Sequence, residues 1–340
     1  MDMKNTEKKM KGNNHSVRYW TIALCLLAVF ALMDRMQAEP ETGYAARHAG
    51  TQGDEARNRN FTLTAADSLA ALRALPASFS NTQANLITRP EALRPVFERM
   101  EREGRALRVL QLGESHVAAK TFPFAVKAQM QEFWGKADSD SAACGVSFDY
   151  MARNGATIAK FLTAERLAAI SEKNPDLIIL SFGTNECHGM GYREEVHRAE
   201  LEAALEQLRA ACPTAVFLLT TPPGDYLSVR RVTYRRQGKG RKRRRVVSYQ
   251  SRPNPMSSRC AALIGQVAAE QQLPVWDLQT IAGGEEAVRN YVADQLMKAD
   301  RIHFTPAGYE LQGRLLGEAI VAAGCGEYKM PACADNICPQ

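Results

Sequence analysis

Ser115 is the first residue whose type and position suggest chemistry. It follows Val109–Leu112, a short, largely apolar run with Arg108 before it and Gly113 after it. Such a run reads as a buried strand. The Ala/Val/Met-containing stretch that continues to Met130 can form a helix. Ser115 then sits where a strand turns into a helix N-terminus, with unpaired N–H groups and the positive end of the dipole. A hydroxyl there can be a nucleophile whose developing oxyanion meets backbone donors. It can equally be a plain N-cap. Three further groups carry reactive or turn-forming residues at ordered positions: Asn154-Gly155, Gly183-Thr-Asn185 and Asp300-Arg-Ile-His303.

The elements that must position these groups alternate. After Ala65–Leu75 and Pro90–Glu103, both read as helices, strands are expected at Val109–Leu112, Cys144–Tyr150, Pro175–Phe182, Thr214–Thr221 and Leu273–Leu278. Helices are expected at Ile158–Glu172, Glu194–Ala211, Met256–Gln272, Glu285–Lys298 and Pro306–Ala323. Near-continuous apolar strands between helices imply a parallel sheet covered on both faces. With right-handed crossovers, five strands give an α/β/α three-layer sandwich of flavodoxin-like order 2-1-3-4-5. Sites in such sheets lie beyond the C-terminal strand ends. The loops 113–116, 153–157, 183–188 and 222–250 should therefore converge, joined by the loop around 300–303.

Together the four groups resemble the SGNH (GDSL-type) hydrolase family over about residues 107–322. Leu-Gly-Glu-Ser-His-Val-Ala-Ala (112–119), Asn-Gly-Ala-Thr-Ile (154–158), Phe-Gly-Thr-Asn-Glu (182–186) and Asp-Arg-Ile-His-Phe-Thr-Pro-Ala-Gly-Tyr (300–309) look most like its peptidoglycan O-acetylesterase type. The resemblance implies the SGNH hydrolase fold and a serine esterase without metal or organic cofactor. Ser115 would attack an ester carbonyl, His303 would take its proton, and Asp300 would hold the other ring nitrogen. The oxyanion would meet the N–H groups of Ser115 and Gly155 and the side-chain amide of Asn185. Turn glycine and Asx-turn remain the plain readings of Gly155 and Asn185. His116 is a poorer base, since adjacent residues at a helix start point in different directions. Glu114 stands where the family normally has Asp, which alters where that carboxyl can hydrogen-bond.

Other chemistries lack their signatures. The chain has no G-x-S-x-G elbow, no P-loop and no G-x-G-x-x-G after a strand. Cys187, His188 and His197 match no standard metal spacing.

Charge is unevenly spread. The net charge is +6, yet without residues 1–38 and 229–246 the chain holds 27 basic against 34 acidic residues, a net −7. Val229–Val246 alone carries ten Lys/Arg and no acid. Val232/Tyr234 and Val246/Tyr249 flank Gly238-Lys-Gly240, so this segment is expected to be a projecting β-hairpin. It is either a solvated loop or a hook for an anionic polymer or lipid headgroups, with Arg230, Arg231, Arg235 and Arg236 as substrate-binding candidates.

Residues 1–38 read as a signal peptide or signal anchor: a Lys-rich start precedes the largely apolar Tyr19–Met33. That places the rest on the periplasmic or extracellular side, where nucleic acid is not an expected partner. Residues 39–88 read as a linker with an N-terminal helical extension, 89–325 as the hydrolase domain and 326–340 as a Cys-containing tail. A tail disulfide, most simply Cys333–Cys338, is expected there. The function expected is removal of O-acetyl groups from a cell-envelope or extracellular polysaccharide. Lipase or lysophospholipase-like activity, glycan O-acetyl transfer and non-catalytic glycan binding are the alternatives.

Overall fold

A computed structural model describes residues 75–137, 145–236 and 243–325. The targeting segment, the linker, the Ala65–Leu75 helix except for its last residue, and the tail cysteines 333 and 338 lie outside the described residues.

The chain enters through β1 (Ile87–Thr88), a 3-10 turn at Pro90–Leu93 and α1 (Arg94–Glu103). β2 (Leu107–Gly113) leads into α2 (Ser115–Ala118) and α3 (Thr121–Trp134). β3 (Val146–Ala152) is followed by α4 (Ile158–Phe161) and α5 (Ala164–Glu172). β4 (Leu177–Ser181) is followed by α6 (Thr184–Cys187) and α7 (Glu194–Ala211). After β5 (Val216–Thr220) come the long strands β6 (Tyr226–Arg236) and β7 (Arg243–Pro253), then α8 (Pro255–Glu270). β8 (Val275–Trp276), α9 (Leu278–Ile281), α10 (Ala287–Ala293) and α11 (Pro306–Cys325) complete the described chain.

The main sheet runs β1-β8-β5-β4-β2-β3. Its five parallel strands have the expected order. The sixth, β1, pairs antiparallel with β8 through Ile87↔Trp276 and Thr88↔Val275. Two residues are too few to leave a periodic trace, which is why the sequence shows five strands. β1 precedes residue 89, where the hydrolase domain was expected to begin, and Asn85 accepts from the buried Trp276 indole at 2.9 Å.

Two apolar clusters form the layers. One includes Phe97, Val126, Met130, Leu315 and Ile320, and the other Ile158, Phe161, Leu205, Leu208 and Val267. β4, Leu-Ile-Ile-Leu-Ser, is buried along its whole length because both faces are covered. At the opposite edge from the site, Asp176 receives Arg105 at 2.7 and 2.8 Å and the Arg108 N–H at 3.0 Å. Burial pushes this carboxyl up, but the guanidinium and amide donors outweigh it and hold the group far below the carboxylate range.

Several expected elements differ in extent. Ile158–Glu172 is two helices, because Leu162 leaves the helical region and Thr163 caps α5 by accepting the Arg166 N–H. Glu285–Lys298 is a 3-10 turn plus α10. The last expected strand shrinks to Val275–Trp276, since Asp277 caps α9 immediately after it. The last helix runs two residues beyond Ala323. The basic segment is the expected β-hairpin, a two-stranded sheet of its own.

Candidate active site

Register decides which loops meet. Gly113 pairs with Ala152 on one side and Ser181 on the other, so β2, β3 and β4 end side by side. Ser115, the 153–157 turn and α6 leave the sheet at the same edge. The Arg153 N–H donates to the Gly113 carbonyl at 3.2 Å, tying the first two together. Gly113 has to be small: a Cβ there would lie 2.2 Å from Val117 Cγ2 and 2.9 Å from the Ser181 carbonyl oxygen.

Ser115 is the first residue of α2 and Glu114 is the cap, accepting the His116 N–H at 3.3 Å. The N-cap reading of Ser115 is therefore corrected. The longer glutamate reaches the turn without breaking it, and its Oε2 also accepts the Ser115 hydroxyl at 2.7 Å.

His303 comes from the turn before α11, 188 positions from Ser115, and its Nε2 lies 3.1 Å from Ser115 Oγ. Its Nδ1 meets Asp300 Oδ2 at 2.8 Å. Asp300 Oδ1 accepts the N–H groups of Ile302 and His303 at 3.0 and 2.9 Å, an Asx-type turn that fixes the carboxyl. Burial raises this carboxyl, but the two amides and the ring prevail and bring it down to about 2.

The donor side is built from two loops held together. Asn185 Nδ2 donates to the Ala156 carbonyl at 3.0 Å. Glu186 accepts the Gly183 N–H at 3.0 Å and the Ile158 N–H at 2.7 Å, so one carboxyl ties the start of α6 to the start of α4. Burial pushes Glu186 up to about 7 against the pull of those amides. Among the described residues nothing accepts from the N–H of Ser115 or of Gly155. Gly183 turns with φ +134°, and a Cβ would meet Pro222 at 2.9 Å, so α6 can start here only from glycine.

His116 is not part of the array. Its ring is buried, Nδ1 meets the Tyr309 hydroxyl at 3.1 Å, and burial holds its pKa below the usual imidazole value. Cys187 and His197 both approach the buried Cys260, whose Sγ lies 3.8 Å from His197 Nδ1, while His188 turns to a different partner. His188 Nδ1 binds Asp225, His197 Nδ1 meets the Tyr192 hydroxyl at 3.0 Å, and Cys187 is buried. Glu186, Asp225 and Arg301 support the site without having been singled out from the sequence. Gly-Thr-Asn-Glu186 was visible as a group, but only burial reveals the carboxyl as a brace.

A serine hydroxyl against an imidazole held by a carboxyl, with backbone N–H groups at Ser115 and at Gly155 on the adjoining loop unpaired among the described residues, is an arrangement for acyl transfer. The family profile of GDSL-like lipases and acylhydrolases matches residues 137–311. The chain belongs to that family. It is thus a carboxylic ester hydrolase of the GDSL type. In fold it is similar to a solved peptidoglycan O-acetylesterase, with 15% identity, 74% of this chain and 99% of that one covered, and a TM-score of 0.53. A two-domain esterase active on acetylated mannans shares 14% identity over 68% of this chain and 53% of that one, TM-score 0.44. A lipase/acylhydrolase from Enterococcus faecalis shares 20% over 64% and 96%, TM-score 0.44. No curated protein sequence matches the chain.

Proposed function

We propose that this GDSL-type hydrolase is an exported serine esterase that removes O-acetyl groups from a cell-envelope or extracellular polysaccharide. The observation that carries the reading is the 3.1 Å approach of His303 Nε2 to Ser115 Oγ, with Asp300 on the opposite ring nitrogen. His303 takes the hydroxyl proton as Oγ attacks the acetyl carbonyl carbon. The oxyanion is held by the N–H groups of Ser115 and Gly155 and by the second amide hydrogen of Asn185, the first being spent on Ala156. The C–O bond to the sugar then breaks, and His303 returns the proton to the departing sugar oxygen. Water, deprotonated by the same imidazole, then attacks the acetyl carbonyl; the bond from that carbon to Ser115 Oγ breaks, the imidazolium returns the proton to Oγ, and acetate leaves.

Two features support the polysaccharide and its location. The Lys-rich start and apolar run of residues 1–38 favour export. The fold likeness to a peptidoglycan O-acetylesterase favours an acetylated glycan. The test is acetate release from O-acetylated peptidoglycan and from acetylated xylan by wild type and Ser115→Ala. Release that depends on Ser115 is expected. Preference for long-chain acyl esters over acetyl esters would instead make the protein a lipase.

A further inference from the structure

The β6–β7 hairpin leaves the site as an arm of two 11-residue strands, about 35 Å long at the usual rise per residue. It forms its own sheet, so both faces meet solvent. Directly opposite residues share a face. Arg235 stands opposite Arg244, and Arg236 opposite Arg243, one pair on each face. Like charges placed opposite one another destabilise a hairpin. Among the described residues no ion pair relieves them. Two such pairs in succession are a cost with no return inside the fold, and an outside anion provides one. On the face of Arg236, Tyr234 and Tyr249 are 63% and 70% exposed, beside the partly exposed Val232 and Val247.

The roots of the arm are fastened to the reactive loops. Asp225, 1% exposed, is bound by His188 at the end of α6, by Asn254 Nδ2 at 2.8 Å and by Ser257 Oγ at 2.8 Å. Asn254, just past β7, also donates to the Cys187 carbonyl at 3.0 Å. On the other side the Tyr226 N–H donates to the Arg301 carbonyl at 2.9 Å, and the Arg301 guanidinium lies 4.9 Å above the Tyr226 ring. The arm is thus joined both to the helix of Asn185 and to the turn of Asp300 and His303.

We propose that this hairpin is the docking arm for a carboxylate-bearing, O-acetylated polysaccharide, whose acetyl groups it delivers to Ser115. The inference rests on the esterase reading for the last step only. Outside residues 1–38 and the arm segment the protein is net −7, so a polyanion is drawn to the arm and repelled elsewhere. Exposed tyrosines supply flat apolar contact for sugar rings between the cations. A lipid surface fits less well: a hairpin lying on a membrane would segregate its charges from its apolar face, whereas here both faces carry arginine.

The experiment compares the wild-type arm with the variant Arg235→Gln/Arg236→Gln/Arg243→Gln/Arg244→Gln, which removes the repelling pairs and leaves the strand register free to form. Binding to de-esterified polygalacturonate is measured in a Ser115→Ala background, so that no turnover enters. The affinity is expected to fall at least about tenfold in the variant, and wild-type binding to weaken as salt is raised. With Ser115 restored, KM for acetylated polygalacturonate should rise by a similar factor relative to KM for neutral acetylated xylan. Unchanged affinity, an equal rise for xylan, or binding confined to anionic phospholipid vesicles or single-stranded DNA would overturn the proposal. Failure of the esterase reading shows elsewhere, as acetate release that ignores Ser115, and leaves the binding result intact.

Discussion

Asn185 Nδ2 donates to the Ala156 carbonyl at 3.0 Å, across 29 positions of sequence. The side chain that would hold the oxyanion is therefore fixed by the loop that supplies Gly155, before any substrate arrives. A donor so placed needs no reorganisation during reaction, which is where such groups gain their effect. Asn185→Ala should lower kcat for 4-nitrophenyl acetate by about 10²–10³ with little change in KM. Steady-state kinetics on a variant with an unaltered thermal melt checks this. A loss confined to KM would mean that Asn185 only binds substrate.

Glu114 and His303 compete for one hydrogen. The Ser115 hydroxyl donates to Glu114 Oε2 at 2.7 Å, while His303 Nε2 waits at 3.1 Å. Turning toward the imidazole costs the first hydrogen bond, worth about 1 kcal/mol net. Glu114→Asp shortens the side chain by one methylene and should free the hydroxyl, raising kcat by about threefold to tenfold. A fall in kcat would show that Glu114 aids the nucleophile rather than holding it back.

Asp300 orients His303 through Nδ1 at 2.8 Å and stays charged to about pH 2. Asp300→Asn would keep the shape and present an amide, favouring the tautomer that places hydrogen on Nε2. On that account kcat falls by about 10³–10⁴ at pH 7. The comparison is a pH–rate profile of both proteins. In wild type no activity change between pH 4 and 8 should trace to Asp300 itself.

Glu186 braces both donor loops, and its carboxyl is pushed up to about 7 by burial. A folded-state pKa above the unfolded value means that folding favours the protonated form. The stabilising contribution is complete below about pH 4.5 and is lost as pH rises through 7. Melting temperature should thus fall from pH 5 to pH 8, and Glu186→Gln should flatten that slope. An equally steep slope in the variant would assign the dependence to another group.

The parallel core was legible because Val109–Leu112, Pro175–Phe182 and Thr214–Thr221 are apolar on both faces, and only a covered sheet uses such strands. Three of the four reactive groups were legible because each is short and follows a strand, and the fourth, Asp300–His303, because its two reactive residues stand three apart just before the last helix. β1 was not, since two residues carry no period and Ile87 is buried only through its partner Trp276. The break at Leu162 was hidden because Thr163 reads as an ordinary helix residue until its cap to Arg166 is seen. Glu186, Asp225 and Arg301 look like surface charges in sequence. Their work depends on which distant groups they reach: backbone amides for Glu186, side chains for Asp225 and Arg301.

The esterase proposal needs Ser115, activated by His303, as the nucleophile. Hydrolysis of 4-nitrophenyl acetate by wild type and by Ser115→Ala at matched fold stability tests it most directly. Turnover by wild type and a drop of at least about 10³ on substitution are expected. Turnover by Ser115→Ala at the wild-type rate would contradict it.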